Sequence, residues 1–472
     1  MKKILIIISI IFLIGYFSKS YLVSSLSINQ KKIINKYVLP YKYISQLEKY
    51  ISQREKILRD RDESISYHLK VLNELSLNSE LNFKESLNDI EIEKLKNIKL
   101  SNDMTMNKYK IKNGFYSGIF HIFPGSGYID FHQNNLLILS SRGILGYTKN
   151  IEKNLYLKQI ENNINEFIDL KQFQKPLEKF RDPKRFSLKN LFVHKDKIFI
   201  SFTEEIKTDC WNTSVIFADM NYEKITFKKL FSNKECIHSQ NNIDKEFNAH
   251  QSGGKIVDFD DEHILLSTGE YRERYLAQNE QSLNGKIIKI NFNNYNFEIV
   301  SMGHRNPQGL YFDKKNNFIL ETEHGPMGGD EINLISIDKI NKDKILNYGW
   351  PIVSAGEHYG GKSETNKIKY KKYPLYKSHS EYDFIEPLKS FVPSIAISQV
   401  NKIGENKYVI GSMGKPENGG KSIYFFELNS EKKIINLERV EVFERVRDLR
   451  YNKNKLYLFL EDTPSIGIIS LD

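Results

Sequence analysis

The stretch SLKNLFVHKDKIFISFTE, residues 187–204, sets how the rest of the chain is read. Two runs rich in apolar and β-branched residues flank the polar segment HKDK, which is the pattern of strand, turn, strand. The same unit returns as SGGKIVDFDDEHILLSTGE (252–270), PQGLYFDKKNNFILETEHG (307–325) and RVRDLRYNKNKLYLFLED (445–462). Less regular copies stand at NNLLILSSRG (134–143) and at NKYVIGSMG (406–414) followed by KSIYFFEL (421–428). A further strand follows several units, as in TSVIFADM (213–220), GKIIKINF (285–292), DEINLISI (330–337) and SIGIISLD (465–472). Six recurrences of a four-stranded unit predict an all-β, six-bladed β-propeller, the radial arrangement that leaves few open sheet edges. A flat sandwich fits less well, because it does not need one unit to recur along nearly the whole domain.

The expected domain runs from residue 114 to residue 472. Upstream, residues 26–113 are polar, with Ile44, Leu47, Ile51 and Leu58 at spacings suited to helix, and predict a helical stalk. The first 25 residues carry Lys2 and Lys3 ahead of an apolar run from Ile4 to Phe17, the order of an export segment. That run is shorter than the roughly 20 residues that span a bilayer, yet no small-x-small cleavage site follows it. A cleaved signal peptide and a hydrophobic signal anchor therefore both remain open. Either way the domain is expected outside the cytoplasm, on the periplasmic side, and an uncleaved N-terminal segment would be its link to the inner membrane. The two cysteines of the chain, Cys210 and Cys236, fall in that exported part and are expected to form a disulfide. Two sulfurs without further Cys or His at ligand spacing do not complete a tetrahedral metal shell.

The formal charge is +10, but the lysines are scattered rather than gathered in a stripe, which argues for a basic surface and against a nucleic-acid partner. The positions just before equivalent inner strands hold Arg185, His250, Arg305, Arg445 and Arg447. In a propeller these positions converge on one mouth of the central channel, where ligands bind. Clustered guanidinium groups call either for local acidic partners or for an anion with carboxylate or phosphate forks.

The segments HQSGG at His250, GHRNPQGL at Gly303, EHGPMGGDEINL at Glu323, NYGWP at Asn347 and RVRD at Arg445 stand in an order that resembles the glucose/sorbosone dehydrogenase family. The likeness extends over about three quarters of the chain. The resemblance implies pyrroloquinoline quinone and a calcium ion at the channel mouth, with oxidation of an aldose sugar or related alcohol and transfer of electrons to an acceptor that the sequence does not identify. His250 matches the family's general base, and Arg305 and Asn306 match the pair beside the quinone. Arg445 and Arg447 match residues that hold its carboxylates. Lys415 is taken as the cofactor-binding lysine ahead of Lys421, across an insertion at residues 416–420. Gly325 and Pro326 match carbonyl ligands of the catalytic calcium, and Glu331 with Tyr348 resembles part of a second calcium site. Two departures stand out: Glu270 replaces the family's aspartate after the His-bearing blade, and Val392 replaces an aromatic that roofs the substrate. They keep alive an alternative, a catalytically inactive propeller acting as an extracytoplasmic binding or scaffold module.

GEHYGGKS, residues 356–363, fits the letters of a phosphate-binding loop. Such a loop needs a strand before it and a helix after it, and the flanking sequence predicts neither.

Overall fold

Each repeat unit forms an antiparallel hairpin that is extended by later strands into a four-stranded array. The computed structural model describes residues 82–112, 115, 127–140, 143–168, 188–340 and 344–471, all within the unit Ser76–Asp472. The expected N-terminal anchor, most of the expected stalk and Arg185 lie outside the described residues.

The described chain is all-β, with short 3-10 turns and very little α-helix. Among the described residues six four-stranded arrays follow one another. Their first strands are Gly127–His132, Leu188–His194, Gly253–Asp258, Pro307–Asp313, Ile397–Gly404 and Val446–Asn452. Each first strand lies against the first strands of the arrays before and after it, and the last lies against the first, so the circuit closes. Apolar side chains fill the spaces between arrays: Leu137 and Leu139 meet Ile200 and Ile216, and Phe199 and Phe217 meet Ile264 and Ile288.

Closure uses a strand that the sequence reading assigns to the stalk. Val446–Asn452, Lys455–Leu460 and Ser465–Ser470 form three strands of the sixth array, and the fourth is Thr105–Ile111, which sets Met106 opposite Ile469 and Tyr109 opposite Ile466. Ile90–Lys94 then pairs with Thr105–Ile111 on one side and with Tyr156–Gln159 of the first array on the other. The helical stalk expected through residue 113 is thereby corrected at residues 90–111, which are β-structure of the ring. The physical reason is burial: Ile90, Ile92, Met106, Tyr109 and Ile111 are all enclosed, each contributing about 1.5–3 kcal/mol. Pairing also covers an edge that would otherwise stand open.

Cys210 and Cys236 are bonded, with Cα atoms 5.2 Å apart. The bond ties the start of the strand Cys210–Asp219 to the segment leading into Ile237–His238, which pairs with that strand. Closing a loop of this length restricts the unfolded chain by about 3 kcal/mol.

Around the axis the inner strands carry charge that is fully engaged. Lys255 Nζ donates to Asp448 Oδ1 at 2.7 Å, Arg450 reaches both Asp448 (3.2 Å) and Asp130 (3.1 Å), and the Ile129 and Val193 amides cap the same two carboxylates. Burial pulls the Lys255 ammonium down to about 8 against the opposing pull of Asp448.

Candidate active site at the mouth of the ring

His250 sits on a single 3-10 turn, Ala249–Gln251, ahead of the third inner strand. The Asn248 side chain accepts from the His250 amide at 2.9 Å, and Lys189 Nζ donates to the Ala249 carbonyl at 3.2 Å. These bonds hold the turn while the His250 residue itself stays exposed. The next turn is tied to it directly, because Asn306 Oδ1 accepts from the Gly253 amide at 3.2 Å.

Arg305 is buried, with its guanidinium 5.3 Å over the Trp350 ring and one NH donating to the His324 carbonyl at 2.8 Å. Among the described residues no carboxylate lies at ion-pair distance from it. Arg445 and Arg447 share a single acid: Arg445 Nε donates to Glu461 Oε2 at 2.8 Å and Arg447 Nη2 to Glu461 Oε1 at 2.7 Å. The local-partner reading of the arginines thus holds for these two, through Glu461. One carboxylate for two guanidiniums still leaves a net positive charge.

His324 links the two groups and was missed as a site residue, although EHGP was singled out as a motif. Burial pulls its imidazole below the ordinary range, with Asp330 opposing and the charges of Arg305 and Arg447 adding to the fall. Its Nε2 is buried without a hydrogen-bond partner. A buried ring nitrogen without a bond among the described residues is a feature that linear spacing cannot reveal.

Glu270 is the other acid at the mouth. It is fully buried, its amide donates to the Arg305 carbonyl at 3.1 Å, and burial pushes its carboxyl up to about 7 against the pull of Arg274 and Arg305. Beside it, Tyr271 and Arg272 both adopt positive φ, 53° and 66°, in a turn that sets Arg272 5.1 Å over the exposed ring of Tyr359. Positive φ at two successive non-glycine residues is strained.

Gly325 and Pro326 are buried in a tight turn. The Gly325 amide donates to Asp330 Oδ1 at 3.0 Å, and the Pro326 carbonyl accepts from Ser394 Oγ at 3.3 Å. A Cβ on Gly325 would fall 2.0 Å from the Gly329 carbonyl oxygen, so only glycine permits this approach. Val392 is 65% exposed and lies beside Gly328 of the same turn. Lys415 points to solvent, 78% exposed, with Glu417 at 3.8 Å. Lys421 instead pairs with Asp462 at 2.8 Å, and Asp462 accepts the Arg445 amide at 3.2 Å.

Glu331 and Tyr348 both lie inside the fold rather than at the mouth. Burial, then the neighbouring Glu323, holds the Glu331 carboxyl well above the usual carboxylate range. The Tyr348 hydroxyl donates to the Leu334 carbonyl at 2.7 Å. In GEHYGGKS no strand leads into the glycines, as expected, but a 3-10 turn Glu364–Asn366 running into the short helix Lys367–Lys372 follows Ser363, which corrects the expectation of no helix; the missing strand removes the phosphate-loop context.

A family model described as Glucose / Sorbosone dehydrogenase matches residues 186–469. The chain belongs to the glucose/sorbosone dehydrogenase family. Relatives include an uncharacterized protein, slr1608, of Synechocystis sp., 30% identical over 248 residues that make up 47% of this chain and 55% of the relative. Aldose sugar dehydrogenase YliI of Escherichia coli is 28% identical over 186 residues, 36% of this chain and 46% of the relative. The chain thus spans about half the length of these relatives. Among solved structures, the PQQ-bound form of aldose sugar dehydrogenase (Adh) from Streptomyces coelicolor shares the fold, with a TM-score of 0.52 at 16% identity, covering 82% of this chain and 99% of that one.

The mouth fits a planar polycarboxylate: among the described residues Arg305 has no carboxylate at ion-pair distance, Arg445 and Arg447 share Glu461, and His324 Nε2 has no hydrogen-bond partner. The turn at Gly325 and Pro326 offers carbonyl oxygens, the donor type that a hard cation such as calcium prefers. Among the described residues no helix is long and apolar enough to cross a membrane.

Proposed function

We propose that this chain oxidises an aldose sugar or a related alcohol with pyrroloquinoline quinone, His250 acting as general base. One observation supports it most: Arg305 is buried against Trp350 with no carboxylate at ion-pair distance among the described residues. When bound, the quinone supplies the acceptor for hydride. Arg305, Asn306, Arg445 and Arg447 would hold it, with His324 at its edge and, in place of the solvent-facing Lys415, Lys421, whose partner Asp462 also accepts the Arg445 amide. His250 takes the proton of the substrate hydroxyl as hydride leaves the adjoining carbon, a role that suits an accessible imidazole on an anchored turn. Arg305 supplies a fixed positive charge where negative charge develops.

Calcium at the Gly325 and Pro326 carbonyls, and a second calcium at a site that includes Glu331 and Tyr348, belong to the same proposal. So does the count of six blades, which the closed circuit of inner strands supports. The bonded Cys210–Cys236 pair supports an oxidising, extracytoplasmic location. The N-terminal segment would tether the domain to the inner membrane, and an electron acceptor would reoxidise the cofactor.

The test is to add pyrroloquinoline quinone and calcium to the full chain and follow cofactor absorbance. Saturable binding and bleaching by aldoses are expected, with His250→Ala retaining binding but reducing the cofactor on the order of 10²–10⁴-fold more slowly. Absence of saturable binding would overturn the enzyme reading and leave a non-catalytic binding module. An unchanged rate in His250→Ala would remove the base assignment.

A further inference from the structure

Between the third and fourth arrays, the Glu321 and Glu323 carboxylates face the His304 imidazole in a space closed to solvent, and a third carboxylate, Glu331, lies beside them facing His379. Glu321 and Glu323 alternate along the strand Phe318–Glu323 and so share one face. The partner strand Asp330–Ser336 sets Asn333 opposite Glu321 and Glu331 opposite Glu323. All four are buried, as is His304. Asn333 Nδ2 lies 3.0 Å from Glu321, 3.2 Å from Glu323 and 3.4 Å from Glu331. One amide nitrogen carries two protons, so three carboxylates exceed what it can satisfy. Among the described residues no Lys or Arg side chain pairs with any of the three acids.

The imidazole is aimed at this charge. His304 Nε2 is bonded to Ser301 Oγ at 2.8 Å, and the ring stacks on Tyr348 with centroids 4.9 Å apart, which fixes its orientation. Its Nδ1 faces Glu323 Oε1 at 3.5 Å and Glu321 Oε2 at 3.9 Å without a hydrogen bond, and Glu321 Oε1 is also unbonded. Buried carboxylates without a countercharge are costly, and buried polar atoms without partners are rare.

We infer that His304 Nδ1, Glu321 and Glu323 form a binding site for a divalent transition-metal ion of the zinc or manganese kind. Donor atoms about 2.0–2.2 Å from a tetrahedral ion stand roughly 3.4 Å apart, so the observed 3.5 and 3.9 Å need only a small contraction. An imidazole nitrogen among the donors favours such ions over calcium. The Ser301 bond to the far ring nitrogen is the outer support that metal-bound histidines use. These donors differ from the Glu331 and Tyr348 pair, since Tyr348 contributes its ring to His304. The ion would also brace the mouth, because Glu323 Oε2 accepts from the Arg305 and Asn306 amides at 2.5 and 3.3 Å.

The experiment uses the full chain, stripped with chelator and then given zinc, manganese or calcium alone. Metal analysis should find one transition ion per chain, and stripping should lower the melting temperature by several degrees, restored by zinc or manganese. Glu321→Gln should weaken binding of that ion at least tenfold. If the cluster holds no metal, Glu321→Gln relieves buried charge and raises the melting temperature, and the wild type in saturating calcium retains no zinc or manganese. Either of those results overturns the assignment, as does displacement of the bound zinc or manganese by calcium. Because cofactor binding is not read, failure here leaves the dehydrogenase proposal standing.

Discussion

Arg447 and Arg450 lie three residues apart on one inner strand and meet opposite conditions. Arg450 is enclosed by Asp448, Asp130 and two backbone carbonyls, Leu449 and Leu191. Arg447 shares the one carboxylate of Glu461 with Arg445. The same contrast separates Lys255, locked onto Asp448, from His250, five residues earlier and exposed. Charge near the axis is matched and holds the ring together, while charge at the mouth is left in excess and available to a ligand. The chain thus separates stability from recognition along the length of a strand.

The largest expected effect comes from breaking the axial set. Asp448→Ala strands Lys255 in a buried site and leaves Arg450 with Asp130 as its carboxylate, and removing one member of such a pair costs about 3–5 kcal/mol. Denaturant unfolding should show that loss. A change under 1 kcal/mol would mean that water reaches the axis and that the contrast with the mouth is false.

Glu270 tests the mouth by pH. Its carboxyl is held up to about 7 in the folded chain against an ordinary value of 4.5. Below pH 4.5 both states are protonated and the group is neutral to stability. As pH rises to 7 the unfolded chain ionises while the native one resists, so the wild type loses about 3 kcal/mol over that interval and no more above it. Glu270→Gln should abolish this loss and be favoured over the wild type at pH 8 relative to pH 4. Parallel stability curves for the two proteins would show that Glu270 stays ionised among its arginines.

Much of this architecture was legible because it repeats. The strand-turn-strand units at residues 187–204, 252–270, 307–325 and 445–462 each carry an inner strand, and the motifs at His250 and Arg305 precede equivalent strands as expected, whereas Arg447, expected before its strand, is the second residue of Val446–Asn452. Thr105–Ile111 was not legible: a lone strand among polar residues carries no repeat, and only its pairing with the C-terminal strand shows its role. Glu321 and Glu323 were hidden for a different reason. In FILETE their alternation reads as a solvent face, but the neighbouring array covers it with His304 and Tyr348. The sharing of Glu461 was hidden as well, since the nearest acid in sequence to Arg447 is Asp448, which serves Lys255 and Arg450 instead.

The smallest expected effect is also the sharpest test of the contrast. Arg447→Lys keeps a positive charge but loses the planar fork, and Arg447 uses both Nε and Nη2 on Glu461. A lysine there gives one point contact, so it cannot hold Glu461 and also meet a planar carboxylate in the same plane. Binding of pyrroloquinoline quinone should weaken about tenfold, roughly 1.4 kcal/mol, while the melting temperature shifts little because Arg445 still engages Glu461. Arg450→Lys should do the reverse, lowering the melting temperature through Asp130 and Asp448 while leaving cofactor affinity within twofold. Should both substitutions weaken binding and stability alike, the two arginines would belong to one network. The division between a locked axis and an open mouth would then fail at the strand where it is drawn most finely.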